Sequence, residues 1–249
     1  VIGVWAGPCT PASYIGKNYR RQHDITTNYC NDKRYMSVNS IFKNGQYLNL
    51  EWDFGELTYN IMPLDYETYE SSGTQLCAVT TNAKTGKPEY FYPKDLREFG
   101  CPVLKASCAL PIATKGAVID GEVYFDGGVS DSIPLAKAFD DGCKKAVVVL
   151  TQVRGFEKQP VKQQRTVRRV LKQYPALAEA VLNRHEMYNR QLAYVYEQEK
   201  QGNCFVIAPA ADLHCSTIER NVTKLERIYQ LGLVQGRQKA DELKAFLEK

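Results

Sequence analysis

The run Ala146-Val147-Val148-Val149-Leu150 is apolar at every position, and it limits the fold more than any other feature of the chain. A strand with one wet face alternates apolar and polar residues. A strand apolar throughout is the pattern of a parallel strand covered on both faces, and parallel pairing needs long crossovers that carry helices over the sheet. Further β-rich runs occur at 1–4, 76–80, 122–125 and 204–208, with segments long enough for crossovers between them. Helix-like stretches lie at 8–19, at 134–142 and from 161 to about 202. The alternation predicts an α/β sheet with helices on both faces.

The long helical stretch should break at Pro175, because proline cannot donate the intrahelical hydrogen bond. After it, Leu177, Val181, Tyr188, Leu192 and Val195 recur near one face of a helix. A second amphipathic pattern, Val222, Leu225, Ile228 and Tyr229, is followed past Gly232 and Gly236 by Ala240, Leu243, Phe246 and Leu247. Both stripes are expected to pack into a core. Residues 25–65 are rich in Tyr and Asn and hold no sustained period, which fits an excursion over the sheet, one reading of which is a lid over a substrate cleft.

A chain of 249 residues, 44% hydrophobic, can bury one substantial core, so a single domain over 1–249 is expected. The net charge of +4 and a charged fraction of 24% do not demand a nucleic-acid partner. No window approaches the roughly 18 apolar residues of a membrane span, and no basic segment followed by an apolar one marks a signal peptide. Val1 falls inside an apparent strand, so residues upstream of it are expected in the whole protein. The eight cysteines are scattered, which predicts reduced thiols and a cytoplasmic protein, and none shows C-x-x-C spacing. His23, His185 and His214 do not complete a zinc-ligand pattern, so no metal is expected. The sequon Asn221-Val222-Thr223 has meaning only in a secreted chain. There is no internal repeat or low-complexity segment.

Two short stretches carry the chemistry. In a G-x-S-x-G nucleophile elbow, a serine sits on a strained strand-to-helix turn, and flanking glycines remove side chains that would collide around it. Val1-Ile2-Gly3-Val4-Trp5-Ala6-Gly7-Pro8 has this arrangement around Gly3 and Gly7, with Trp5 at the nucleophile position and Pro8 suited to the start of the following helix. At 124–134 the chain reads Tyr-Phe-Asp-Gly-Gly-Val-Ser-Asp-Ser-Ile-Pro, which places Asp126 at a strand end before Gly127 and Gly128. In isolation such an aspartate also reads as a turn residue bonding its own backbone.

Taken together, these motifs resemble the patatin-like acyl hydrolases, and the likeness extends through Lys105-Ala106-Ser107-Cys108-Ala109-Leu110-Pro111, Val147-Val148-Val149-Leu150-Thr151, Tyr174-Pro175-Ala176-Leu177 and Asn183-Arg184-His185-Glu186. Over essentially the whole chain the sequence is similar to a bacterial subgroup of patatin-like phospholipases. The resemblance implies a three-layer α/β/α sandwich with a mostly parallel central sheet. It also implies a Ser-Asp dyad in which a serine at position 5 attacks a lipid acyl ester, with Asp126 as general base and no cofactor.

The chain departs from that pattern twice. Trp5 is no nucleophile, since the indole nitrogen only donates. The Gly-rich oxyanion loop implied by the resemblance would lie on a strand upstream of Val1, so the single domain is expected without that strand and loop. Losing one oxyanion donor typically costs ~10²–10³ in rate. Ser13, some ~12 Å along the helix from position 5, Cys9 and Ser107 are poor stand-ins. The elbow position usually requires positive φ, where a bulky side chain is an outlier, so either the turn relaxes or position 5 is altered. Two functions follow: an acyl-ester hydrolase represented by an inactive copy, or a pseudoenzyme that binds lipid or acyl chains without cutting them. A peripheral membrane contact is a third reading, resting on Lys158, Lys162, Arg165, Arg168, Arg169 and Lys172, although a solvated helix face accounts for the same charges. Oligomeric state is not legible.

Overall fold

A computed structural model describes residues 1–5, 7–38, 40–41 and 45–248. Ala6 of the turn motif and residues 39 and 42–44 of the Tyr- and Asn-rich stretch lie outside the described residues. The chain forms two compact units: 1–132 with 160–187, and 133–159 with 188–249.

The first unit contains β1 (Ile2–Gly3), α1 (Cys9–Ile15), α2 (Arg21–Tyr29), α3 (Leu50–Trp52), a π-helical segment (Asp53–Ile61) that continues it, α4 (Tyr66–Ser71), β2 (Cys77–Asn82), β3 (Pro88–Phe91), α5 (Pro102–Cys108), β4 (Ala117–Ile119) and β5 (Glu122–Asp126). The stretch 25–65, expected to hold no regular period, therefore folds partly as helix. Strand β2 is the centre of the sheet, and all six of its residues are buried. Its polar half is satisfied internally: Thr80 and Asn82 donate to Glu89, and the Thr81 hydroxyl donates to the Asp126 carbonyl at 2.8 Å.

Register places the site. On one edge of β2, β1 runs parallel with Gly3 opposite Ala78, and β5 runs antiparallel with Asp126 opposite Thr80. On the other edge lies β3. The ends of β1 and β5 therefore meet along one strand, which brings position 5 to Asp126. Strand β4 completes the sheet through a hairpin to β5 whose Asp120-Gly121 turn has φ of 49° and 80°, the two left-handed residues of a type I′ turn.

The fold is mixed α/β, and the sheet is mixed rather than mostly parallel: in the first unit β1–β2 is the parallel pairing and β2–β3, β2–β5 and β4–β5 are antiparallel. The reason lies in β3 and β4, short strands joined to their neighbours by tight turns, where the sequence shows only brief apolar runs.

The second unit contains α6 (Leu135–Asp140), β6 (Ala146–Val149), β7 (Cys204–Ile207), α9 (Val222–Gln238) and α10 (Ala240–Glu248); α7 (Gln164–Val170) belongs to the first unit, and α8 (Pro175–Lys200), which opens at Pro175 as expected, begins in the first and ends in the second. Strands β6 and β7 pair in parallel. Burial of β6 on both faces is not what the structure shows. Val148 and Leu150 pack with Leu192 and Val195, whereas Val147 is 41% and Val149 70% exposed. A wholly apolar strand reports that neither face is polar; it does not report that both are covered.

The C-terminal stripe is likewise corrected. No residue of α9 or α10 is fully buried: of the stripe, Val222 and Leu247 are exposed, whereas Leu225, Ile228, Tyr229, Ala240, Leu243 and Phe246 are half-buried. The pair is tied to the second unit by contacts at its margin, such as Phe205 against Phe246 with ring centroids 5.8 Å apart. Periodicity fixes which face of a helix is apolar, and not whether anything covers it.

Candidate functional site

The turn after β1 is a strand-to-helix elbow held by backbone crowding. The Gly7 amide donates to the Val4 carbonyl at 2.8 Å, and a Cβ on Gly7 would lie 2.4 Å from that same oxygen. A Cβ on Gly3 would lie 2.5 Å from the Pro8 nitrogen. Both glycines are thus required by close approach of the chain to itself. Trp5 sits between them at φ 64°, in the left-handed region that costs a bulky residue of order 1–3 kcal/mol. The turn has not relaxed: the elbow keeps its strained geometry with an indole side chain at its tip.

The surroundings explain why the strain persists. The Trp5 amide donates to the Asp126 carboxylate, and its carbonyl accepts from Cys108 Sγ at 3.4 Å, the last residue of α5, with Ser107 Oγ 3.5 Å away. The backbone of residue 5 is tied on both sides. Asp126 is itself fixed, its amide donating to the Ala109 carbonyl at 2.9 Å and its carboxylate accepting from the Gly128 amide at 2.7 Å. Gly127 has no room for a side chain, since a Cβ would lie 2.3 Å from the Val79 carbonyl oxygen. Trp5, Asp126, Gly3, Gly7, Gly127 and Gly128 therefore come together in one place, although 120 residues separate the two turns.

Asp126 is 2% exposed, and burial pushes its carboxyl up to about 7. The two amide donors and the charge of Arg184 pull in the other direction without cancelling it. A carboxyl that titrates near neutrality has the property of a general base. Here its donors are backbone amides, those of Gly128 and Trp5.

Arg184 was not picked out as a functional residue by the sequence motifs. Its Nε donates to the Gly128 carbonyl at 2.5 Å, and its guanidinium lies 6.0 Å from the centre of the Trp5 ring, within reach of a cation–π contact. It joins the two turns from α8. The signal available in the sequence was its place inside Asn183-Arg184-His185-Glu186; nothing local says that it reaches Gly128.

The other nucleophile candidates are occupied. Ser107 is buried with Oγ donating to the Val79 carbonyl at 2.7 Å, and Ser13 is buried and accepts from Arg21. Cys9 Sγ lies 3.6 Å from Cys108 Sγ. Among the described residues, His23 contacts Asp24, the His185 ring contacts the Leu182 carbonyl, and His214 contacts Asp212. Among the described residues no group of His, Cys, Asp or Glu is arranged to hold a metal ion.

A cavity of about 40 Å³ lies in the first unit, lined by Arg21, Asp53, Thr58 and Tyr66 among others, with neither Trp5 nor Asp126 in its wall. At roughly 10–15 Å³ per water it suits on the order of three waters. Burial raises the Asp53 carboxyl to about 7, with Arg21 opposing the shift. Arg21 is satisfied by the Met62 carbonyl at 2.6 Å and by the Ser13 and Thr58 hydroxyls. This buried polar cluster braces α2 against the π-helical segment.

No helix among the described residues is long and apolar enough to cross a membrane. The family model described as "Domain of unknown function (DUF6363)" matches residues 174–248, the stretch from the residue before α8 to the end of α10. "Uncharacterized protein YjjU" of Escherichia coli (strain K12) is 24% identical over 241 residues, which cover 95% of this chain and 67% of that protein. These matches overturn the assignment to the patatin-like acyl hydrolases drawn from the motifs: the family model that matches is another one, and the relative carries no described activity. The motifs misled because they record what a tight elbow and a glycine-flanked aspartate turn need sterically, which is a property of backbone geometry and not of one family.

Proposed function

We propose that the chain carries a site of serine-hydrolase geometry that binds an acyl or lipid ligand without cutting it, Trp5 standing where a nucleophile would stand. The observation that carries this reading is the conjunction at residue 5. Its backbone keeps the left-handed elbow, its amide is held by Asp126, and its side chain offers no group that can attack a carbonyl. An acyl ester placed against the elbow would find a base with no hydroxyl to activate, while the indole face and the Arg184 guanidinium supply an apolar and a cationic contact. The reading needs no cofactor or metal. It includes the α/β/α layering expected from the alternation of strands and helices, and a cytoplasmic setting, with which eight cysteines outside any disulfide accord.

The elbow geometry also supports a hydrolytic version of the site when residue 5 is serine, and one substitution tests both. Trp5→Ser is expected to take up a fluorophosphonate probe at residue 5, seen by peptide mass, while the unmodified protein stays unlabelled. The unmodified protein is expected to bind a brominated fatty acid with quenching of tryptophan emission, and Trp5→Phe to lose that part of the quenching. Labelling of the unmodified protein at another serine would refute the non-hydrolytic reading. An unlabelled, folded Trp5→Ser would refute the hydrolase-type geometry, and no quenching would refute acyl binding.

A further inference from the structure

The segment 160–178 carries Lys162, Arg165, Arg168, Arg169 and Lys172 and no acidic residue. Those five charges exceed the net charge of +4, so the rest of the chain is net negative by one. Within the segment, Arg165, Arg168, Arg169 and Lys172 stand at i, i+3, i+4 and i+7, a single stripe along α7 and the turn that follows it. All are exposed, and the helix buries Val167 and Leu171 on its other side. Among the described residues, the structure shows one ion pair in this stripe, Arg168 with Glu179 at 2.9 Å.

Like charges three and four residues apart weaken a helix. A stripe of four such charges with one carboxylate, Glu179, beside it keeps a net positive charge and is complementary to an external anion. A shallow recess, widely open to solvent and lined wholly by exposed side chains, lies beside the stripe: Lys162, Gln163, Gln164, Arg165, Thr166 and Arg168. Every one of these side chains carries an N–H or O–H donor, and none is an acid.

We infer that this basic face of α7 docks on a membrane surface carrying anionic phospholipid, with phosphate-bearing headgroups entering the recess. A bilayer presents many anionic groups in one plane, which suits a short stripe on a convex helix. A nucleic acid suits it less well: residues 162–172 include no aromatic side chain on which bases could stack, and a net negative remainder of the chain offers no continuous track for a polyanion. The inference stands on charge and burial and is independent of what happens at Trp5.

Co-sedimentation of the full chain with phosphatidylcholine vesicles, with and without phosphatidylserine, tests it. Binding is expected only with phosphatidylserine and is expected to fall as salt rises. Each cation near such a surface is worth roughly fivefold in partitioning, so the triple variant R165E/R169E/K172E, which spares Arg168 and its Glu179 partner, should lose on the order of 100-fold or more. Equal binding to neutral vesicles, no binding to either, or an unchanged triple variant would overturn the inference. Displacement by millimolar inorganic phosphate would assign the recess to a soluble phosphate compound instead, and tighter binding to an RNA oligomer would assign the stripe to nucleic acid. Should the triple variant misfold by circular dichroism, salt-insensitive vesicle binding of the unmodified protein overturns it as well.

Discussion

The elbow around Trp5 and the C-terminal helices α9 and α10 are built on opposite terms, and glycine shows the difference. At the elbow and the facing turn, Gly3, Gly7 and Gly127 stand where a single added carbon would meet backbone atoms at 2.5, 2.4 and 2.3 Å. In α9, Gly232 and Gly236 have nothing within 4 Å of where a Cβ would be. The same residue is compulsory in one region and a conformational cost in the other. The elbow can hold Trp5 in a strained conformation because the surrounding backbone leaves it no alternative. The C-terminal pair has no such constraint, and several of its apolar residues, Val222, Leu231, Val234 and Leu247 among them, are exposed.

The sharpest break in that comparison is Gly127→Ala. The new carbon would strike the Val79 carbonyl, a buried backbone atom of the central strand that cannot swing away. Overpacking of this kind costs about 3 kcal/mol, seen as a lower midpoint in urea unfolding of the first unit. An unchanged midpoint would mean that the close approach of β2 to the Asp126 turn is not present in solution.

Next in size is the pH dependence that Asp126 confers. In the unfolded chain its carboxyl titrates near the reference 3.8, and in the folded protein near 7. Between those values the native state binds the proton that the unfolded state has lost, so Asp126 stabilises the fold most at low pH, and this contribution falls as pH rises toward 7. Asp126→Asn removes the titration and keeps an acceptor for the Gly128 amide. Its stability relative to the unmodified protein should therefore rise from pH 4.5 to pH 7.5 in paired urea titrations. Asp53, shifted the same way, is common to both proteins and drops out of the difference. A constant difference across that range would mean that Asp126 is already ionised in the native state.

How much of this was legible follows the same division. Local backbone demands were readable: the elbow glycines, Pro175 at the head of α8, and five strands whose cores match the observed ones. The nearness of the two turns was legible only through the resemblance, whose family and mostly parallel sheet the findings overturn. Strands β3 and β4 were missed because Pro88–Phe91 and Ala117–Ile119 are too short for a period, though Asp120-Gly121 was an available hairpin signal. Arg184 was missed because its partner, Gly128, lies 56 residues away and nothing near either residue points to the other. Exposure of Val149, Val222 and Leu247 was missed because burial belongs to what an element packs against, and a sequence pattern describes only the element itself.

The smallest expected effect probes the open side of the comparison. Gly232→Ala replaces a mid-helix glycine with the best helix former at a position with no neighbour, so unfolding of the second unit should become harder by about 1 kcal/mol. The gain would come through backbone entropy alone, because no contact is added. A loss of similar size would carry more information than the gain, since it would mean that another surface lies against Gly232 in solution, close enough to exclude a methyl group. The exposed apolar residues of α9 would then be one side of an interface, and the contrast with the elbow would lie in what each is packed by, within the chain or outside it.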